Sequence, residues 1–140
     1  MTQEDSIERL NGLLAEELEA GLRYFHLSMT VRGMDRLLVK DVLLENMQET
    51  IDHARAVAEK ILQLGGVPKL DIKLELPAEK TSAQEALRTA VTVERAALEA
   101  YRELLETAEA QGDLIVEEFA RAQVAIESEH VAELELLLEE

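Results

Sequence analysis

The feature that most constrains the fold is the scarcity of residues that interrupt a helix. Only two prolines and six glycines occur in the 140 residues, and they leave four long runs rich in Leu, Ala and Glu. Hydrophobic residues make up 47% of the chain but aromatic residues only 3%, a composition typical of long helices. The sequence therefore predicts an all-α protein.

Four helical segments are indicated by the spacing of apolar residues and by the glycines and prolines between them. The predicted helices cover residues 2–32, 35–64, 82–111 and 113–138. Residues 65–81 contain both prolines and no helical period, and such a connection is long enough to cross a helical bundle. Because the second and third helices can then run parallel, we expect one domain over residues 1–140: a four-helix bundle of two antiparallel hairpins joined by one long crossover.

Capping residues mark the predicted starts of the last two helices. Ser82 precedes the third helix, and Glu85 follows three residues later as its reciprocal partner in a capping box. Asp113 is placed to cap the fourth helix. Both starts agree with the apolar periodicity.

The chain is strongly acidic, with 30 acidic and 14 basic residues and a formal net charge of -16. Such a charge repels phosphate backbones and anionic membranes and attracts cations, so we expect neither nucleic acid nor a membrane as partner. No apolar run approaches a membrane span, and the first residues lack the pattern of a secretion signal. There is no cysteine and hence no thiolate ligand. These features favour a cytoplasmic protein.

The fourth helix carries two ionisable residues on or beside its apolar side. At about 100° per residue, one side collects Val116, Phe119, Ile126, Leu134 and Leu137. His130 is predicted near the middle of that side, and Glu127 about 60° away on its flank. Because ionisable groups rarely occupy such positions without a partner, the other helices are expected to supply one.

Each of the other three helices offers a suitable group. Glu94 lies within the apolar stripe of the third helix. Glu17 lies on the flank of the first, where the alternative is a solvated glutamate at the rim. His53 lies about 100° from the centre of the second-helix stripe, where the alternative is a surface histidine paired with Asp52 or Glu49.

The same periodicity assigns apolar and aromatic residues to the core. Phe25 and Met29 of the first helix and Ile51 of the second are predicted to face inward. Tyr24 and Tyr101 are predicted as core aromatics whose hydroxyl groups find a hydrogen-bond partner.

Together the ionisable residues form a candidate metal-binding set near the middle of the four helices: Glu17, His53, Glu94, Glu127 and His130. Carboxylates with one histidine per ion suit iron, manganese or zinc. Their convergence from four helices is the arrangement found in dinuclear carboxylate proteins. The sequence therefore predicts a metal site inside the bundle.

Four stretches of the chain resemble bacterioferritin, within the ferritin superfamily: LNGLLAEELEAGLRYF, IDHARAVAEKILQLGGVP, VERAALEAYREL and IESEHVAELELLL. The resemblance covers nearly the whole chain and implies a ferritin-like four-helix bundle with a dinuclear iron site. It implies that Glu17 and His53 hold one iron ion. By the same resemblance, Glu94 and His130 hold the other, with Glu127 as the bridge.

The resemblance also marks one match and three departures. Tyr24 matches the tyrosine beside the family's diiron centre. Thr50 stands where the family has a second bridging glutamate. On a helical wheel the adjacent Glu49 faces outward, unless the helix is locally rewound. Ile51 stands where the family has its haem-ligating methionine, so no haem is expected, and Met47 is a weak substitute. The family's short fifth helix, which lines a symmetry axis of its 24-subunit shell, has no counterpart, which leaves a dimer and a shell as alternatives.

The resemblance and the candidate ligands together predict oxidation of Fe(II) to Fe(III) by dioxygen or peroxide, for iron storage or detoxification. One alternative is a protein without turnover, either an iron or zinc carrier or a cargo protein housed in another shell. Another is a peroxide-reducing diiron protein like rubrerythrin, although that family commonly adds a cysteine-ligated iron. A homodimer or larger homo-oligomer is expected, because the first hairpin presents the apolar residues Leu37, Leu38 and Val42 on its surface.

Overall fold

Four helices account for most of the chain in a computed structural model, which describes residues 3–139. Helix α1 is Gln3–Thr30, α2 is Arg36–Gln63, α3 is Ala83–Gln111 and α4 is Leu114–Leu138. Thr2, the first residue of the predicted first helix, lies outside the described residues. No helix in the described part combines the length and apolar character needed to cross a membrane. The predicted all-α class is confirmed.

Two short strands join the hairpins at one end of the bundle. Strand β1, Val31–Arg32, pairs in parallel with β2, Thr81–Ser82. The sequence prediction was wrong here, because it extended the first helix through β1. Since β1 leads into α2 and β2 leads into α3, these two helices start at the same end and run parallel. Residues 64–80 therefore cross the length of the bundle, and the four-helix bundle with one long crossover is confirmed.

Side chains of α1 hold the crossover in place. The side chain of Asn11 accepts a hydrogen bond from the backbone N–H of Lys69 at 2.7 Å and donates one to the carbonyl of Val67 at 3.3 Å. A carboxylate oxygen of Glu19 accepts from the backbone N–H of Lys73 at 2.7 Å. Because backbone groups outside helices need partners elsewhere, these contacts fix the course of the crossover along α1.

The caps of α3 and α4 follow the sequence prediction with one exception. The hydroxyl of Ser82 accepts from the backbone N–H of Glu85 at 3.2 Å, and a carboxylate oxygen of Asp113 accepts from Val116 N–H at 3.3 Å. The exception is the carboxylate of Glu85, which pairs with Arg88 one turn along the helix. The structure thus shows one half of the predicted capping box, the bond from Glu85 N–H to Ser82.

A polar layer crosses the middle of the bundle between two apolar clusters. One cluster includes Leu10, Leu14, Val57, Ile61, Leu104 and Val116. The other includes Tyr24, Leu43, Ala90, Val91 and Leu134. In every helix, buried polar residues lie between the segments that contribute to the two clusters: Glu17, Thr50, His53, Glu94, Gln123 and Glu127. We use the name polar layer for Glu17, Thr50, His53, Glu94 and Glu127, together with His130.

The buried face of α4 differs from the predicted one. Ile126 and Leu137 are exposed. The buried residues are Val116, Ala120, Gln123, Glu127, Val131 and Leu134. The prediction was wrong because it assumed that polar residues of a helix face solvent. The inward face of α4 itself carries the polar residues Gln123 and Glu127.

The first hairpin shows the same error. Phe25 and Met29 of α1 were predicted to face inward, and both are exposed. On α2, Ile51 is exposed, whereas Thr50 and His53 are buried. Because polar residues occupy the inward face, the prediction again assigned neighbouring apolar residues to the core.

Candidate metal centre

One half of the polar layer is a buried group of two carboxylates and one imidazole. Nδ1 of His53 lies 2.9 Å from Oε1 of Glu127 and 3.3 Å from Oε2 of Glu17. Glu127 and Glu17 are 1% and 3% exposed, and His53 is 9% exposed. One ligand atom from each residue lies within 4.8 Å of the other two, a spacing at which one metal ion could contact all three.

The other half shares Glu127 with the first. Oε2 of Glu127 and Oε2 of Glu94 each lie 3.9 Å from Nδ1 of His130, and these residues form a second group with the same 4.8 Å limit. The rings of His53 and His130 stack with their centroids 5.6 Å apart. Because Glu127 directs one oxygen to each histidine, the layer has the geometry of two adjacent metal positions joined by one carboxylate.

The second group is open to solvent beside α2. The side chain of His130 is 20% exposed, and its Nε2 lies 2.9 Å from Oε2 of Glu49, whose side chain is 48% exposed. Glu49 thus occupies the outward position that the wheel predicts, yet its side chain brings the carboxylate back to His130. Helix α2 is continuous there. The adjacent Thr50 is buried and offers no second carboxylate between the two groups.

Three buried polar atoms of the layer have no hydrogen-bond partner among the described residues: Oε2 of Glu17, Oε2 of Glu127 and Nδ1 of His53. The contacts of His53 with the two carboxylates have ion-pair distances but lack hydrogen-bond geometry. Buried polar groups are normally satisfied, and leaving them unsatisfied costs free energy. A cation would supply the missing partner, so the layer fits a divalent metal bound by oxygen and nitrogen.

Burial and neighbouring charges together set the protonation of the layer. Burial raises the pKa of Glu17, and contact with His53 opposes this only in part. Burial and the neighbouring Glu127 carboxylate raise the pKa of Glu94 to about 8. Burial by itself lowers the pKa of His53, but the carboxylates of Glu127 and Glu17 outweigh it and raise the pKa to about 10. The metal-free layer therefore holds protons that a bound metal would displace.

Two fully buried tyrosines lie near the layer and differ in their contacts. The hydroxyl of Tyr24 donates a hydrogen bond to Oε1 of Glu94 at 2.7 Å. Burial and the charge of Glu94 raise the pKa of Tyr24, so this hydroxyl stays a donor. The hydroxyl of Tyr101 has no hydrogen-bond partner in the described part of the chain, and the expectation of one was wrong for this residue.

The structure brings all five predicted ligands into one layer, with one difference from the sequence prediction and with two open alternatives decided. Glu127 occupies the centre of the buried face of α4 and His130 its edge, the reverse of the predicted order. His53 is buried rather than turned away from the core, and Glu17 is not the solvated residue of the alternative. Sequence reasoning did not anticipate the contact of Glu49 with His130. A helical wheel gives the direction in which a side chain leaves the helix but not the distance that it spans.

Comparison with known proteins places the chain in a family. The Ferritin family, described as the Ferritin-like domain, matches residues 7–140. The chain belongs to the ferritin-like family. A search of curated proteins found no match for this ferritin-like chain.

Three solved structures illustrate the relationship. A ferritin-like, diiron-carboxylate protein from Bacillus anthracis str. Ames is 31% identical to this chain. The match covers 99% of this chain and 100% of that protein's chain, with a TM-score of 0.85. The dodecameric thioferritin from Bacteroides fragilis is 28% identical over 96% of this chain and 84% of its own, with a TM-score of 0.85. The bacterioferritin from Rhodobacter capsulatus, which has a metal-free dinuclear site and haem iron, is 27% identical over 96% and 84%, with a TM-score of 0.82. The ferritin-like assignment is confirmed, whereas the expectation that Ile51 excludes haem stays a prediction.

Proposed function

We propose that this ferritin-like chain binds two Fe(II) ions in its polar layer and oxidises them to Fe(III) with dioxygen or peroxide, for iron storage or detoxification. The observation that carries the proposal is the position of Glu127, which directs one oxygen to each of two Glu/His groups. Two ligand groups that share a carboxylate suit a pair of metal ions, whereas packing alone gives no reason to bury them. The similarity to a diiron-carboxylate protein supports iron as the metal.

The proposed ligands divide between the two positions. Glu17 and His53 hold one ion, which is fully enclosed. Glu94 and His130 hold the other, and Glu127 bridges. Carboxylates stabilise the higher charge of Fe(III), while neutral imidazoles hold the ion without adding charge. With dioxygen as oxidant, two Fe(II) ions lose one electron each, and dioxygen takes up these electrons and two protons to leave as hydrogen peroxide.

We propose further that the two positions are unequal, with Glu49 as an additional ligand of the exposed one. Its carboxylate lies 2.9 Å from Nε2 of His130 and is half exposed, while the buried Thr50 offers no second bridge. Fewer bridging charges between two cations mean stronger repulsion between them. This repulsion affects both ions, but solvent weakens the attraction between an ion and its ligands at the exposed position, which should therefore bind its ion more weakly than the enclosed one.

An anaerobic titration of metal-free protein with Fe(II) tests the ligand assignment. Wild type is expected to bind two ions per chain, Glu17→Gln one, and Glu127→Gln fewer than either because both positions lose a ligand. Glu106→Gln is the matched control, since Glu106 is an exposed residue of α3 outside the layer, and it should bind two. No binding by wild type would refute the metal proposal, and unchanged binding by both ligand variants would refute these residues as ligands. Competition with Zn(II) and Mn(II) then identifies the preferred metal.

Oxidation kinetics separate the ferroxidase from a carrier. Mixing the Fe(II)-loaded protein with dioxygen should produce the ultraviolet absorbance of Fe(III) much faster than the same iron in buffer. If two ions bind but oxidise no faster than free iron, the protein is a non-catalytic carrier. The buried Thr50 in place of a bridging carboxylate is the observation that favours this second candidate.

We also propose that the chain forms a homo-oligomer. Leu37 and Leu38 at the start of α2 and Phe25 and Met29 near the end of α1 are large apolar side chains exposed on the first hairpin, and exposed apolar surface is typical of interfaces. The dodecameric assembly of the thioferritin relative supports the proposal. Light scattering should give a dimer or a larger closed assembly for wild type and a smaller species for Leu38→Glu. A monomeric wild type would contradict it.

A further inference from the structure

The two helical hairpins contribute equivalent positions to the bundle. The same number of residues separates Glu17 from Glu94 and His53 from His130, so the proposed ligands recur at one fixed interval. Core residues follow this interval too, and the buried pairs include Leu10 and Leu87, Leu14 and Val91, Val39 and Val116, Leu43 and Ala120, and Val57 and Leu134. A contact that one hairpin makes therefore predicts its counterpart in the other.

The two buried tyrosines are another pair at the same interval. Tyr24 lies as far from Tyr101 in the sequence as Glu17 lies from Glu94, and both tyrosines are 0% exposed. Tyr24 of α1 donates its hydroxyl hydrogen to Glu94 of α3 at 2.7 Å. The counterpart of this contact is a hydrogen bond from Tyr101 of α3 to Glu17 of α1.

Tyr101 and Glu17 each have a buried atom available for that bond. The hydroxyl oxygen of Tyr101 and Oε2 of Glu17 both lack a hydrogen-bond partner among the described residues. After burial, the charge of Glu17 contributes most to the raised pKa of Tyr101, as expected when a hydroxyl lies near a carboxylate. A buried donor and a buried acceptor are thus both left unsatisfied, which costs free energy.

We propose that Tyr101 is a positioning residue for Glu17: when an ion occupies the enclosed metal position, the Tyr101 hydroxyl donates a hydrogen bond to the Glu17 carboxylate, as Tyr24 does to Glu94. The inference rests on the proposed function, because it concerns one of the proposed ligands. A carboxylate can bind an ion and still accept a hydrogen bond, since its two oxygens offer about four lone-pair sites. Loss of such an outer partner typically lowers metal affinity by about 10- to 100-fold.

Tyr101→Phe and Tyr24→Phe form a matched pair for the test, because each removes one hydroxyl group and keeps the buried ring. Titration of metal-free protein with Co²⁺, followed by the visible absorbance of the bound ion, gives two dissociation constants. Glu17→Gln identifies the ion at the enclosed position as the one that it loses. We expect Tyr101→Phe to weaken binding at the enclosed position by about 10-fold or more, with little change at the exposed position. Tyr24→Phe should do the reverse.

Two further measurements separate positioning from packing. The ring of Tyr101 packs edge-on against Phe119, with centroids 6.4 Å apart, so Phe119→Leu disturbs that ring without removing its hydroxyl group. Its Co²⁺ affinities should stay close to those of wild type. Metal-free Tyr101→Phe should be at least as stable in urea as wild type, because the hydroxyl has no partner to lose. Weaker metal binding without loss of stability supports the positioning role.

Three results would overturn the inference and leave the proposed function intact. Wild-type affinities in Tyr101→Phe would show that the hydroxyl does not act on Glu17. Equal losses at both metal positions, or a similar loss in Phe119→Leu, would assign the effect to a general loosening of the core. A wild-type protein that binds neither Co²⁺ nor Fe(II) would instead overturn the proposed function, and the inference with it.

Discussion

The hydroxyl groups of the two buried tyrosines offer a matched pair at the scale of single residues. Tyr24 donates a 2.7 Å hydrogen bond to Glu94, whereas Tyr101 has no partner among the described residues. Tyr24→Phe should lower the free energy of unfolding of the metal-free protein by about 1–3 kcal/mol, because a buried acceptor loses its donor. Tyr101→Phe should leave that free energy unchanged or raise it slightly. Urea denaturation measures both, and equal losses in the two variants would contradict the assigned contacts.

The buried carboxyl of Glu94 makes a second prediction at this scale. Burial and Glu127 raise its pKa from 4.5 to about 8, so the folded state holds a proton that the unfolded chain releases. This contribution to stability is lost as the pH rises from about 4.5 to about 8. Glu94→Gln keeps an oxygen for Tyr24 and cannot ionise. The metal-free variant should therefore exceed wild type in thermal stability at pH 9, with a much smaller gain at pH 5.

Glu106→Gln serves as the control for that experiment, since it removes the charge of an exposed residue on the same helix. It should change thermal stability little at either pH. A gain for Glu94→Gln that is as large at pH 5 as at pH 9 would show that its origin is not the ionisation of a buried carboxyl.

At the scale of elements, the start of α3 depends on its N-cap. The hydroxyl of Ser82 accepts from the backbone N–H of Glu85 at 3.2 Å, which satisfies one of the free N–H groups of the first turn. Ser82→Ala should lower the free energy of unfolding by about 1 kcal/mol, as measured by urea denaturation. Thr92 is an exposed residue in the middle of the same helix. Thr92→Ala should not lower the free energy of unfolding, because alanine is the better helix former. A comparable loss at Thr92 would argue against the cap as the cause.

The helices themselves were predictable, but their rotation about their own axes was not. Long apolar periods and glycine breaks identify α1 to α4, and Gly112 ends α3 in the left-handed conformation with a φ of 68°. The face that each helix buries is a different matter. Thr50 and His53 on α2, and Gln123 and Glu127 on α4, point inward. An amphipathic pattern assigns polar residues to the solvent side of a helix. The predicted buried face is therefore wrong where the polar layer interrupts the apolar core.

At the scale of the whole molecule, the polar layer makes stability depend on pH. Raised pKa values for Glu17, Glu94 and His53 all mean that the folded state binds protons more tightly than the unfolded chain. Their contributions are present at low pH and are lost as the pH rises, for Glu94 up to about 8 and for His53 between about 6.5 and 10. The excess of acidic residues adds charge repulsion in the same direction. Metal-free protein should therefore lose thermal stability from pH 5 to pH 9.

Metal binding should reverse that loss. A divalent cation in the layer replaces the protons and gives the unsatisfied oxygens of Glu17 and Glu127 a partner. By mass action, Co²⁺ at 100 times its dissociation constant should stabilise the fold by about 2.7 kcal/mol per independent site. Differential scanning calorimetry at pH 8 with and without Co²⁺ measures this. Glu127→Gln should respond less than wild type, and an equal response would contradict its place as the shared ligand.

The sequence by itself determined that this chain is a bundle of four helices with one long crossover, because helix propensity, breaks and caps are local properties that each segment carries alone. It also identified Glu17, His53, Glu94, Glu127 and His130 as ionisable groups in need of partners. Only the tertiary structure decided which of these share a carboxylate, how Glu49 reaches His130, and that β1 and β2 pair. Those features depend on helix rotation and on the reach of side chains between helices. Both are set by the packing of all four helices together, and no single segment contains that information.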